Sequence, residues 1–236
     1  MRMLRQRIAL FIPATGFLLL WEWFVSGSQK RQFLFSSPSE IFSVAIAEIT
    51  QGQIFQHIYL TSLETVLGLM LGGAIGITVG LILWVNKVIG EIAKPYVVVI
   101  GSIPIFALAP MLVIWFGVGL LPKVIMAAFS VCIVSIVYSY NAAMRIDEEH
   151  KDWIFGLGLT RREALRSVIF PSSIKIAFEG MRLNVGFALI GAFIGEFVSS
   201  DGGLGYFILK ASSLYDTSRV LFGVGLLMVI GLVLTK

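Results

Sequence analysis

The stretch from Arg145 to Arg182 reads RIDEEHKDWIFGLGLTRREALRSVIFPSSIKIAFEGMR and is the only long polar interval in the chain. Long apolar runs bound it on both sides. Apolar runs of about 20 residues are long enough to cross a bilayer as helices. A polar interval between two of them is therefore typical of a loop on one side of a membrane protein.

The first half of this loop combines helical spacing with an apolar pair. Residues 148–157 predict a short helix that presents Trp153 and Ile154 on one side. An exposed apolar patch usually marks a surface on which a partner binds. The alternative is that these side chains fold back onto the ends of the chain's own membrane helices. The residues by themselves leave both interpretations open.

The second half of the loop predicts another helix. Thr160 and Glu163 match a capping box, in which the side chain of each residue accepts a hydrogen bond from the backbone amide of the other. We expect this helix to end before Pro171, because proline disfavours a helical conformation in the residue that precedes it.

Composition places the whole chain in the membrane. Only 14% of its 236 residues are charged and its mean hydropathy is +0.91, whereas about a quarter of a soluble domain is charged. The net charge of +4 lies beside apolar runs, so it indicates membrane orientation and not nucleic-acid binding. The single cysteine, Cys132, excludes a disulfide framework, and the sequence has no Cys/His cluster for a metal site.

The apolar runs predict an all-α, polytopic membrane protein of about six transmembrane helices. We expect one domain over residues 1–236, with a core at 58–235 and the loop at 145–180. An uncleaved first helix is favoured over a signal peptide because Trp21 and Trp23 suit a membrane interface. An amphipathic helix is expected on the outer face over 39–51. The spans fall at about 8–25, 58–84, 95–119, 123–144, 183–198 and 220–234.

The positive charges predict the orientation of these spans. With the N-terminus in the cytoplasm, 13 of the 18 lysines and arginines lie on the cytoplasmic side. That asymmetry agrees with the tendency of cytoplasmic loops to carry positive charge. The loop at 145–180 is therefore expected in the compartment that contains ATP.

Two of the spans carry unusual patterns. In the second span, Gly68, Gly72, Gly76 and Gly80 recur every four residues, which predicts a helix face that another helix approaches closely, within one subunit or between two. In the third span, Pro95, Pro104 and Pro110 predict bends. Carbonyls freed by such bends are not satisfied by lipid, so this backbone is expected to face protein or a wet cavity.

A family resemblance extends from Ser37 to Leu234 and is clearest in the following stretches. The run IPIFALAPMLVIWFG at 103–117 closely resembles a signature of the nitrate, sulfonate, taurine and pyrimidine-precursor branch of ABC importer permeases. GEFVSSDGGLGYFI at 195–208 resembles the closing stretch of that family. Asp152-Trp153-Ile154, Gly158 and 168–171 match the spacing of the loop that contacts the ATP-hydrolysing subunit, although most residues at the anchor positions differ.

The resemblance implies partners and sites. It implies a bacterial inner-membrane protein with no cofactor of its own, in which two permease copies, a homodimer being favoured, form the pathway. Two ABC ATPase subunits would bind below, and a periplasmic or lipid-anchored substrate-binding protein would deliver solute above. The ATPase-coupling residues implied are Asp152, Trp153, Ile154, Gly158, Leu159 and Pro171. The expected pathway residues are Ser102, Pro104, Ala107, Pro110, Asn184 and Glu196.

The sequence argues against catalysis by this chain. No lysine follows a glycine, so the phosphate-binding loop of an ATPase is absent, and no Gly-x-Ser-x-Gly motif occurs. ATP hydrolysis is therefore expected from a separate subunit. The alternative function is a secondary transporter or channel that works alone. Such carriers commonly show mid-membrane ionisable residues and inverted repeats, and this sequence shows no such repeat. The solute is expected to be small and polar or anionic, and the sequence does not specify which one.

Overall fold

The computed structural model describes residues 2–149, 156, 158–199 and 201–236. Every regular element in these ranges is helical, which confirms the predicted all-α class. A five-residue π-helical turn, Leu165–Ile169, is flanked by α-helix on both sides. The α-helices are α1 (Arg2–Ser26), α2 (Gln29–Phe35), α3 (Pro38–Gln51), α4 (Gln53–Val85), α5 (Lys87–Gly101), α6 (Ile105–Phe116), α7 (Leu120–Glu149), α8 (Arg161–Ala164), α9 (Phe170–Ser199), α10 (Leu204–Ser213) and α11 (Thr217–Leu234).

Four helices within the described residues are long and apolar enough to cross a membrane. They are α4, α7 up to Ile146, α9 from Gly180, and α11. The pair Val88–Gly101 and Ile105–Phe116 gives a fifth if it is counted as one broken span. The apolar part of α1, Ile12–Ser26, is shorter than these spans.

The centre of the molecule is a bundle of α4, α7 and α9. Small side chains allow these helices to approach closely, and Ala127, Ala188 and Ala192 are fully buried between them. Close packing matters in a membrane, since lipid tails are as apolar as the helix surfaces and give no hydrophobic drive for association. The bundle therefore holds the other helices in place.

The segment before α4 folds as the amphipathic pattern predicts. α3 is capped at its start by Ser37, whose side chain accepts a hydrogen bond from the Glu40 amide, and at its end by Gly52, which has φ of +79°. The Glu22 carboxylate of α1 accepts hydrogen bonds from the Ser39 hydroxyl at 2.8 Å and from its amide at 3.1 Å. These contacts fix the start of α3 against α1.

The expectation that the second loop helix ends before Pro171 is wrong. The chain stays helical from Arg161 through the π-helical turn into α9, and Pro171 is the second residue of α9. In the turn, the Phe170 amide donates to the Leu165 carbonyl, five residues back. This wider register, together with a position in the first turn of α9, accommodates a proline that has no amide to donate.

The prolines of the third span do not act equally. The two halves of this span meet at 85° across the break between Gly101 and Ile105, and Pro104 lies at this break. Pro95 and Pro110 lie inside α5 and α6. Like every proline, Pro104 has no amide hydrogen to donate, and of the three it alone also has an extended backbone, with ψ of 116°. The sharp bend therefore falls at Pro104.

Candidate functional site

The glycine register of α4 packs against α7 of the same chain. A Cβ atom added at Gly76 would lie 2.5 Å from the Cys132 carbonyl oxygen and 2.5 Å from the Ser135 Cβ. Added Cβ atoms at the other three positions would also overlap α7, at Ala127 for Gly68, at Ala128 for Gly72 and at Ser139 for Gly80. The neighbouring Gly73, outside the register, has open space around this position. The structure therefore places the register within one subunit.

Glu196 lies at the far end of the bundle from the loop and is fully buried. Its Oε1 accepts a hydrogen bond from the Thr61 hydroxyl at 2.6 Å, and its Oε2 accepts one from the Gly205 amide at 2.6 Å. The Thr61 oxygen also accepts a bond from the Leu204 amide at 2.8 Å. Glu196 thus ties α4 and α9 to the start of α10.

Lys123 lies in the same region and is only 2% exposed. Its Nζ is 3.3 Å from Glu64 Oε1, forms an ion pair with Asp201 and donates to the Gly202 carbonyl at 3.3 Å. Glu64 is also buried, and its contact with Lys123 is a charge pairing without aligned hydrogen-bond geometry. These contacts join α4, α7 and the turn 201–203. Because a buried charge without its partner is costly, loss of any one of them should destabilise this region.

Further contacts complete what we call the outer cluster, named for the side on which the positive charges predict this end of the bundle to lie. It is defined as His57, Thr61, Glu64, Lys123, Glu196, the turn 201–203 and the start of α10 at 204–205. The Gly203 amide donates to His57 Nδ1 at 3.1 Å. Gly203 has φ of +94°, and a Cβ at this position would overlap the Glu196 carboxyl group. The turn therefore requires glycine both for its backbone conformation and for its approach to Glu196.

The candidate pathway residues fall into two groups. Ser102, Pro104, Ala107 and Pro110 are exposed along the break and α6. Asn184 and Glu196 are buried inside the bundle instead, and Asn184 donates to the Ser135 hydroxyl at 2.9 Å. The structure thus does not bring the two groups together at one surface.

A cavity of about 250 Å³ lies between the break and the bundle. Gly101, Ile103 and Ile105 form its wall on the side of the break. Phe129, Ser130, Ile133, Val134, Phe187 and Ile190 complete the lining. The Ser130 hydroxyl donates to its own helix, at the Met126 carbonyl, so the lining is largely apolar.

Part of the loop at 145–180 lies outside the described residues, including the expected coupling residues Asp152, Trp153 and Ile154. Gly158 has φ of +67°, a conformation that favours glycine, and Pro171 is exposed. Leu159 is half-buried and packs on a cluster that contains Trp84, Tyr140 and Ile169. This end of the loop is therefore anchored on α4 and α7.

The predicted capping box is confirmed. The Thr160 amide donates to Glu163 Oε2 at 2.8 Å, and the Glu163 amide donates to Thr160 Oγ1 at 3.4 Å. The Thr160 hydroxyl also donates to Glu163 Oε2, at 2.7 Å. These bonds favour the carboxylate, first through the Thr160 side chain and then through its amide, so the pKa of Glu163 is lowered from its ordinary value.

Of the outer cluster, only Glu196 was among the site residues predicted from the sequence. The predicted site residues include neither Lys123 nor Asp201, and the contact between His57 and Gly203 was not expected from the sequence. The available signal was a lysine at the start of an apolar run, together with Glu64 and Glu196 at the corresponding ends of other spans. Charges in such positions are costly unless they pair inside the protein.

Comparisons with known proteins agree with this architecture. The profile of the family described as binding-protein-dependent transport system inner membrane component matches residues 72–235. The riboflavin transport system permease protein of Chloroflexus aurantiacus is 30% identical and covers 96% of this chain and 85% of its own. The formylaminopyrimidine transport permease protein of Halalkalibacterium halodurans is 28% identical, with coverage of 93% and 88%.

A more distant relative and a solved structure extend the comparison. The taurine transport system permease protein of Escherichia coli is 23% identical and covers 98% of this chain and 86% of its own. A chain of the MetNI methionine ABC transporter, in an inward-facing conformation, has a TM-score of 0.65 at 18% identity and covers 79% of this chain and 94% of its own. The fold is therefore shared with an ABC transporter subunit. On the profile match and the relatives together, this chain belongs to the family of inner membrane components of binding-protein-dependent transport systems.

Proposed function

We propose that this importer permease subunit pairs with a second copy of itself and forms the pathway for a small polar or anionic solute. The chemical class proposed is a sulfonate, nitrate or a pyrimidine precursor. Support comes from relatives whose names specify taurine and formylaminopyrimidine transport. An extracytoplasmic substrate-binding protein delivers the solute, and two ABC ATPase subunits hydrolyse ATP.

The observation that carries the pathway proposal is the 85° break between α5 and α6. Irregular backbone at membrane depth is tolerated where it lies in protein or beside water, and not in lipid. Four candidate pathway residues are exposed along this break: Ser102, Pro104, Ala107 and Pro110. In the proposed assembly, a second copy of the chain forms the other side of the pathway. Two copies that face each other here enclose the exposed backbone between them.

Asn184 and Glu196 take a different part in the proposed pathway. Both are buried in the bundle, so neither faces an open surface in this conformation. Their place between α4, α7 and α9 makes them candidates for contact with solute only after those helices have moved apart. The break remains the stronger candidate for the pathway wall.

The positive charges support an N-terminus in the cytoplasm, and the loop at 145–180 then faces the ATPase. The described part of the loop supports a coupling role, since the chain is helical without interruption from Arg161 to Ser199. A displacement of α8 is thus carried into α9, which reaches the outer cluster through Glu196. Movement of the loops by the ATPase subunits rocks the two bundles between inward and outward openings.

The proposal is tested by reconstituting the chain with the ATPase and binding protein encoded beside it. Trp153→Asp places a charge on the apolar pair of the loop, and we expect ATP-driven uptake into proteoliposomes to fall to background. The ATPase should also no longer co-purify in detergent, while the permease elutes as a folded protein. Wild-type uptake and co-purification in this variant would exclude the coupling role of the loop.

A further inference from the structure

A polar pocket of about 210 Å³ lies at the outer end of the molecule, opposite the coupling loop. It opens between the first turn of α4, the end of α3 and the exposed side of α10. Its lining is mostly polar or charged, unlike the cavity beside the break. The lining residues are Glu48, Gln51, Gln53, His57, Tyr206, Phe207, Lys210, Ala211, Leu214 and Arg219.

Some charged groups of this outer pocket form ion pairs with one another and one does not. Arg219 Nε contacts Glu48 Oε1 at 2.8 Å, and Arg219 Nη1 contacts Asp216 Oδ2 at 3.1 Å. The guanidinium group and both carboxylates are therefore occupied with one another. Lys210 is exposed and makes no ion pair within the part of the chain that the structure describes. The pocket thus presents one ammonium group that is free to pair.

His57 adds a second donor to the pocket. Its Nδ1 accepts a hydrogen bond from the Gly203 amide at 3.1 Å, and the ring centroids of Tyr206 and Phe207 lie 6.0 and 5.9 Å away. In the neutral ring the proton then resides on Nε2, which becomes a donor. The amides of Gln51 and Gln53 supply further donors. Lys210 and these three donors together suit an anionic group.

The rim of the pocket is apolar and protrudes. Leu214 lines the pocket and is 65% exposed, and the adjacent Tyr215 is 76% exposed. Tyr215 has φ of +57°, an uncommon value for a non-glycine residue. Its amide donates to the Ser212 carbonyl at 3.0 Å, and the Asp216 amide donates to the Ala211 carbonyl at 3.0 Å. Tyrosine is enriched in protein interfaces, so this turn fits a binding rim.

We propose that the outer pocket receives an acidic side chain of the substrate-binding protein, which pairs with Lys210 while Leu214 and Tyr215 pack against the surrounding surface. This inference rests on the proposed function, which places such a protein on the outer face. A carboxylate on the partner supplies the negative charge with which Lys210 has no ion pair in the described part of the isolated chain. Charge complementarity of this kind orients partners and raises their rate of association.

The pocket also has a direct connection to the outer cluster. His57 lines the pocket and accepts the hydrogen bond of Gly203, and the same turn pairs with Lys123 and Glu196. A partner that contacts His57 therefore touches a residue that holds the turn against α4. The pocket is thereby linked, through contacts of the turn, to residues of all three helices of the bundle.

The test uses the complete complex of permease and ATPase in lipid nanodiscs, with the purified binding protein encoded beside it as the probe. Lys210→Glu should weaken the affinity for the binding protein at least tenfold and abolish its stimulation of ATP hydrolysis. Basal hydrolysis without the binding protein should stay unchanged. Lys30→Glu, an exposed lysine on the same side but outside the pocket, is the matched control and should change the affinity less than twofold.

A charge swap identifies the occupant. Acidic residues on the binding protein are changed to lysine one at a time, and one such change should restore binding to the Lys210→Glu complex. Wild-type affinity in Lys210→Glu, or the failure of every acidic-to-lysine change on the binding protein to restore binding, overturns the inference. A wild-type complex whose ATPase does not respond to the binding protein contradicts the proposed function itself.

Discussion

At the scale of single residues, glycine decides how closely α4 and α7 approach. An added methyl group at Gly72 would overlap the Ala128 backbone, whereas one at Gly73 meets open space. We expect Gly72→Ala to destabilise the protein by about 1–3 kcal/mol, as overpacking does in other cores. Gly73→Ala should be neutral or slightly stabilising, because alanine favours helix over glycine by up to about 1 kcal/mol. Thermal unfolding in detergent measures both, and equal effects would show that the register has no packing role.

Lys123 is the second residue whose removal should have a large effect. Lys123→Met leaves the buried Glu64 and the partly exposed Asp201 without their cation, and breaking a buried ion pair costs about 3–5 kcal/mol. Lys30→Met, at an exposed position, should change stability little. The double variant Lys123→Met/Glu64→Gln should recover part of the loss, since it removes one uncompensated charge. Thermal unfolding curves of the four proteins test this, and equal stability of the two single variants would contradict it.

The sequence predicts the glycine register of α4 but not the partners of Lys123. The glycine register was visible because its spacing matches the helical repeat, and that spacing alone predicts one closely packed face. The partner of Lys123 was not visible, because Glu64 and Asp201 are 59 and 78 positions away in the chain and meet only through the packing of α4, α7 and the turn. The local sequence pattern thus predicts which face of a helix is closely packed, whereas tertiary packing determines which residues contact that face.

At the scale of elements, the capping box at the start of α8 is a local device that the sequence predicts well. Its two residues are three positions apart, so no tertiary contact is needed. The π-helical turn that follows was not predicted, because it depends on how α8 continues into α9, which begins at Phe170. The break of the third span shows the same limit. Three prolines marked that span, and only the packed structure selects Pro104 for the sharp bend.

The capping box makes a prediction about pH. The pKa of Glu163 is lowered by bonds from Thr160, so their contribution is present at neutral pH and is lost as the pH falls through this lowered pKa. Thr160→Val removes the hydroxyl and should raise the Glu163 pKa part of the way to its ordinary value of about 4.3. Thr160→Ser should keep the pKa low. Carboxyl carbon NMR titrations compare the three proteins, and one pKa shared by all of them would exclude the hydroxyl as the cause.

At the scale of the whole molecule, the two ends of the α4–α7–α9 bundle have different tasks. One end carries the loop that we assign to the ATPase, and the other carries the outer cluster and the outer pocket. The break between α5 and α6 lies beside the bundle, with a cavity of about 250 Å³ behind it. The central claim is that this break lines a pathway that opens to one side of the membrane at a time.

Cysteine accessibility at the break tests that claim most directly. Single cysteines are placed from Ile103 to Ala109 in a Cys132→Ala background, within the reconstituted complex, and labelled with a membrane-impermeant thiol reagent. We predict that exposed positions such as Ala107 react, and that their rates change at least severalfold when nucleotide is trapped on the ATPase. Cysteine at Ala109, which is fully buried, should stay unreactive in both states. Uniform protection of all seven positions, with and without trapped nucleotide, would contradict a pathway at this break.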